Sequence, residues 1–173
     1  MKIDVKRVGI YALSFGITLI AAFGVTAMLS RITVSRPLAR AYSQLGFVRE
    51  FHMVTTSEGT HITVSVAPLE DLQLSYDQLY TSTAQVLGHA KFTLAIRDNR
   101  DDQLKRLFDD ISLYIHEAII TGRFAEMCAT AQAKCAEAAV ECRIVVDSQR
   151  VYVSLTKDAS YLYEIIPRGA QAK

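Results

Sequence analysis

Between residues 8 and 30 the sequence has no charged residue, and across the whole chain it has no basic block interleaved with aromatics, no glycine-rich phosphate loop, no internal repeat and no low-complexity tract. A nucleic-acid surface needs clustered cations among aromatics. The balance of 19 basic against 18 acidic residues, net +1, therefore argues against nucleic acid as a partner. Cysteine is scarce as well: Cys128, Cys135 and Cys142 are the only three, seven residues apart. On one predicted helix, that spacing separates neighbours by about 10.5 Å of rise, whereas a disulfide needs Cα atoms within about 7 Å. The expectation is three free thiols, which suit a reducing compartment. They also lack the two- to four-residue ligand spacing of zinc knots.

Histidine is equally sparse, with four in the chain. His116-Glu117 opens like a zincin helix, but that motif needs a second His four residues after the first, and Ile120 stands there. Asp109, Ser112 and His116 share a helical face, yet Ser112 lies between acid and imidazole, the wrong order for a triad in which the acid orients the far side of the His. Asp98, Asp101 and Asp102 resemble the start of a calcium loop, but Arg100 and Gln103 stand where an oxygen ligand and a glycine belong. His52 and His61 fall on one face of a predicted hairpin, about 13 Å apart along the strands in the expected register, too far to share a zinc. His89 reads as a turn residue. No catalytic residue, cofactor-binding residue or metal ligand is assigned, and no cofactor.

What the sequence does hold is the uncharged run itself. As a helix, residues 8–30 rise about 1.5 Å each and cross a hydrocarbon core of roughly 30 Å. A cleaved secretory signal is the competing reading, with 1–7 as basic n-region and Val25-Thr26-Ala27 as cleavage site, but the apolar run exceeds the usual h-region. The expected division is a basic tail at 1–7, a transmembrane helix at 8–30, a juxtamembrane helix at 31–46, an α+β domain at 47–168 and a frayed tail at 169–173. Ala12 and Gly16 within the span permit close helix contact, and so self-association.

Basic residues flank the span on both sides, with Lys2, Lys6 and Arg7 before it and Arg31, Arg36 and Arg40 after it. The positive-inside rule counts both flanks. A short basic tail ahead of a first span usually stays cytoplasmic, so the domain is expected on the extracytoplasmic side of the cell membrane despite its thiols. Arg36 and Arg40 are also placed to meet lipid headgroups.

The remainder reads as α+β. Ser35 and Pro37 start a short helix carrying Leu38, Tyr42 and Leu45. Residues 47–67 form a hairpin turning at Glu58-Gly59, which pairs Thr56 with His61 and His52 with Ser65. Phe51, Met53, Ile62, Val64 and Val66 then share the core face. A helix from Asp71 to Gly88 carries Leu72, Tyr76, Leu79, Tyr80 and Thr83, and a strand follows at 91–96. Asp98-Asn99 is expected to cap a long helix, broken at Thr121-Gly122, and an Ala-rich helix over 124–140 bears the cysteine stripe. Strands at 143–147, 150–156 and 161–166 close the chain as an antiparallel meander. Tyr152, Tyr161 and Tyr163 are candidate partner contacts, since tyrosine supplies rigid area with a polar tip; burial in the core is the alternative.

The order α-β-β-α-β after an N-terminal span is similar in outline to the ring-building modules of membrane secretion and sporulation machines. The similarity is one of element order, with no shared motif. The reading that follows is a single-pass membrane protein, without catalysis, whose domain binds other proteins or itself as an assembly component of a bacterial-type envelope complex. The alternative is a membrane-bound ligand-binding or sensory domain with a pocket between sheet and helices.

Overall fold

The computed structural model describes residues 34–169. The apolar run at 8–30, together with Lys2, Lys6, Arg7 and Arg31, lies outside the described residues. Among the described residues no helix is long and apolar enough to cross a membrane.

Among the described residues, four helices and two three-stranded sheets make a mixed α+β unit. In chain order the elements are α1 (Arg36–Ser43), β1 (Val48–Thr55), β2 (Thr60–Val66), α2 (Leu72–Leu87), β3 (Phe92–Arg97), α3 (Asp102–Thr121), α4 (Phe124–Glu137), β4 (Glu141–Val146), β5 (Arg150–Lys157) and β6 (Ser160–Pro167). The first sheet runs β1-β2-β3, antiparallel then parallel, with α2 as the crossover between β2 and β3. The second is the antiparallel meander β4-β5-β6.

Local chemistry accounts for most boundaries. Asp71 caps α2 by accepting the Leu74 N–H at 2.9 Å. Gly122, at φ +77°, takes the left-handed conformation that ends α3 and lets α4 start in a new direction. Two expected caps are corrected. Ser35 makes no side-chain cap bond, because the backbone is already helical there. The cap of α3 is Asp101, whose Oδ1 accepts the Leu104 N–H at 2.8 Å, while Asp98 is drawn into an ion pair with Arg100.

The hairpin register is also corrected. The observed pairs are Thr55 with Thr60, Val54 with His61 and His52 with Thr63, because the loop spans 56–59, centred between Ser57 and Glu58, and closes through Thr56 N–H to Gly59 O at 2.9 Å. A shift of two residues keeps every side chain on its expected face. Ile62, Val64 and Val66 are accordingly buried. A Cβ on Gly59 would stand 2.8 Å from the Lys91 carbonyl, so glycine is what lets this loop lie against the entry to β3.

Two cores share the second sheet. Leu104, Leu107, Ile111 and Ile115 of α3 pack with Met127, Ala131 and Cys135 of α4 on one face, against Val151, Val153, Leu155 and Leu162. On the other face Tyr152, Tyr161 and Tyr163 meet Leu38 and Tyr42 of α1, Leu72, Tyr76 and Leu79 of α2, and Ile62, Val64 and Val66 of β2. Burial on both faces is why β5 and β6 read as unbroken apolar and aromatic runs, Val151-Tyr152-Val153 and Tyr161-Leu162-Tyr163.

The cysteine geometry differs from the helical expectation. Helix α4 stops at Glu137, Ala139 adopts φ +53°, and the Val140 N–H returns to the Cys135 carbonyl at 2.9 Å. This reversal places Cys142 on β4, beside Cys135, where the two thiols share a hydrogen bond. That bond and burial push the Cys142 thiol well above its ordinary range. All three cysteines are free. Helix rise therefore no longer keeps Cys135 and Cys142 apart.

Candidate functional site

Strands β3 and β6 are each the last strand of their sheet, and they meet at one end only. The Tyr161 N–H donates to the Asn99 carbonyl at 3.1 Å. At the next level the Tyr163 N–H is taken by the Asp98 carboxylate at 2.7 Å, and Arg100 clamps Asp98 and Glu164 at 2.7 Å each. The Asp98 side chain is 3% exposed. This side-chain plug replaces the backbone ladder, and beyond it the strands diverge around a cavity of about 340 Å³.

Helix α2 provides the aromatic side of that cavity. Tyr76 and Tyr80, one helical turn apart, present neighbouring rings 6.3 Å between centroids. Over them lies the guanidinium of Arg150, 5.2 Å from the Tyr76 ring and 5.5 Å from that of Tyr80. Leu94 of β3 and Ile165 and Pro167 of β6 complete the apolar lining. A second cavity of about 510 Å³ shares Tyr80, Phe92 and Thr93 with the first and continues to His61, Lys91 and Glu58. Tyr80 packs on Phe92 at 5.1 Å between the two, so they form one groove with a waist.

The position of Arg150 is set by Asp147. Asp147 Oδ1 accepts the N–H groups of Gln149 and Arg150, both at 2.6 Å, and Oδ2 accepts the Tyr152 hydroxyl at 3.0 Å. Burial works to raise the Asp147 pKa, but those donors and the Arg150 charge outweigh it and hold the carboxyl below its usual range. Burial pushes the Tyr152 phenol up to about 12. What this groove is equipped for is binding: a delocalised cation on aromatic faces, apolar walls and free strand edges.

The residues singled out from the sequence lie elsewhere. Tyr152, Tyr161 and Tyr163 are 1%, 5% and 3% exposed, so they form core and not a free contact surface. Two of the phenols join the halves of the fold: Tyr161 donates to the Val66 carbonyl at 2.8 Å, and the Leu69 N–H donates to Tyr163 at 2.7 Å. Arg36 and Arg40 are exposed on α1. His52 and His61 are diagonal neighbours in the corrected register, closer than expected, and His52 approaches Glu50 at 3.3 Å on the exposed face of the first sheet. Ser112 donates to the Asp109 carbonyl at 2.8 Å, within its own helix. No group of three metal-ligating side chains occurs among the described residues.

A further cavity of about 240 Å³ lies between α3 and α4, where Arg123 is already paired with Glu117 at 2.7 Å and Glu126 at 3.3 Å. The sequence held one hint of the groove, the Tyr76/Tyr80 spacing; nothing local brings Arg150 onto it. Comparison of the chain with protein-family models, with curated proteins and with solved structures gave no match.

Proposed function

We propose that the chain is a single-pass membrane-anchored interaction or assembly component of a bacterial-type envelope complex, with no catalytic role, and that partners dock on its α+β domain. The observation that carries this reading is the groove between β3 and β6, where two sheets present unpaired strand edges side by side. Such edges are templates for a further strand, which is how many interaction domains recruit polypeptides. The uncharged run at 8–30 supports the anchor. Leu113 and Ile120, 74% and 85% exposed on α3, add apolar surface away from the groove. The lipid bilayer is the other partner, and self-association through the span or the domain belongs to the same reading.

Crosslinking in intact membranes, followed by solubilisation and mass spectrometry, tests it. Recovery of defined higher-mass species is expected; a chain that stays monomeric with no crosslinked partner would refute it. We place the domain on the extracytoplasmic side. An impermeant protease added to spheroplasts then degrades the domain, and protection until detergent is added would reverse the assignment. A second reading, a membrane-bound ligand-binding or sensory domain, is favoured by the Arg150 cavity alone.

A further inference from the structure

Arg150 is stacked on two tyrosine rings, and although the Asp147 charge acts on it, it makes no direct ion pair. Asp147, the nearest acid along the chain, has both oxygens engaged by Gln149, Arg150 backbone, Tyr152 and, at 3.5 Å, Gln73 Nε2. No ion pair to the Arg150 guanidinium occurs among the described residues. Two arginines outside the groove differ: Arg100 is held by Asp98 and Glu164, and Arg123 by Glu117 and Glu126. Further along the groove lie Lys91 and His61, with Glu58 the one acid of that lining. The lining therefore carries Arg150 and Lys91 against the single acid Glu58.

The backbone beside Arg150 is also incompletely used. Tyr161 and Tyr163 direct their N–H groups towards the β3 side, to Asn99 and Asp98. Alternation along a strand turns the N–H and C=O of Ile165 the same way, into the cavity, and Pro167 two residues on offers only a carbonyl. Cation, apolar walls and strand edge together describe a ligand that is extended, has amides to share and carries a negative side chain.

We propose that the gap between β3 and β6 binds an extended peptide segment bearing a carboxylate, which lies along the free edge of β3 and pairs that carboxylate with Arg150. The proposal rests on the interaction reading above and names the partner chemistry of that same groove. Backbone pairing supplies sequence-independent contact, the apolar lining selects alternate side chains, and Arg150 selects charge. Stacked on aromatic faces and half-exposed, the guanidinium is the discriminating element, because a neutral ligand would leave it without an ion-pair partner.

The test uses the full-length chain in detergent micelles and a panel of fluorescein-labelled heptapeptides of alternating valine and threonine with a central glutamate, each with a glutamine counterpart. Fluorescence anisotropy should show at least one glutamate peptide binding tenfold or more tightly than its glutamine counterpart. Arg150→Gln should abolish that preference with an unchanged melting temperature, and Arg150→Lys should keep part of it. The glutamine comparison is made on the unaltered protein, so it stands even where a variant folds poorly. No binding by any glutamate peptide, equal binding by the glutamine forms, or competition by free succinate as strong as by peptide would overturn the proposal. Crosslinking separates the two readings: partners recovered equally by wild type and Arg150→Gln leave assembly standing and overturn the groove as its contact. Glutamate peptides that bind in a chain without crosslinked partners uphold the groove and refute assembly.

Discussion

The Tyr42 hydroxyl lies 2.6 Å from Thr83 Oγ1, joining α1 to α2 across 41 residues of sequence. Thr83 donates onward to the Leu79 carbonyl at 2.7 Å, so Tyr42 is the donor to Thr83. Removing either partner has unequal consequences. Tyr42→Phe leaves Thr83 still bonded and should cost about 1 kcal/mol, whereas Thr83→Val leaves a buried phenol without an acceptor and should cost about 2 kcal/mol. Urea denaturation of both variants checks the order; equal losses would mean that water reaches the phenol.

Alkaline pH should destabilise the fold through its buried tyrosines. Burial raises Tyr42, Tyr76, Tyr152 and Tyr163, with Tyr152 at about 12. In the unfolded chain these phenols titrate near 10, so between pH 10 and 12 the unfolded state releases protons that the folded state keeps. Stability is therefore intact below pH 10 and falls as pH rises through that window. Tyr152→Phe should flatten the decline, measured as melting temperature against pH; a slope unchanged from wild type would show that Tyr152 does not contribute.

Among the acids at the start of α3, position in the fold decides importance. Asp98 is nearly inaccessible and joins Arg100 to the Tyr163 N–H, while the Asp102 side chain is 80% exposed and pairs with Lys105 at 3.1 Å. Asp98→Asn should cost about 3 kcal/mol by leaving Arg100 with Glu164 alone and weakening the bridge from β3 to β6. Asp102→Asn should stay within about 0.5 kcal/mol. Chemical denaturation that ranked them equally would contradict the plug.

Cys135 tests the packing of α4 against the meander. At 1% exposure among Leu and Val side chains, Cys135→Ala should be mild, about 1 kcal/mol, whereas Cys135→Arg must bury a charge and overfill the site and should prevent stable folding. A melting temperature unchanged in Cys135→Arg would place this helix face in solvent.

Much of the architecture was legible in the residues. Helical spacing in α2 and α3, the helix start at Asp71, the Gly122 break and the alternation that makes Ile62, Val64 and Val66 a core face are all local signals, set by backbone sterics and apolar period. The hairpin register was missed by two residues because the centre of the turn depends on how Gly59 lies against Lys91, a contact between segments far apart in the chain. The same holds for Asp98, which resembles a helix cap in sequence and is claimed by Arg100 in space.

The sequence alone determined the α+β class, the order of its elements, and an uncharged run long enough to span a bilayer, because propensity, periodicity and length act over a few residues. Only the tertiary structure decided that β3 runs parallel to β2, that Tyr152, Tyr161 and Tyr163 are buried between two sheets, that Cys142 returns to Cys135, and that Arg150 rests on Tyr76 and Tyr80. Each of these pairs segments whose meeting depends on which faces the whole chain can bury together, and no local pattern carries that information.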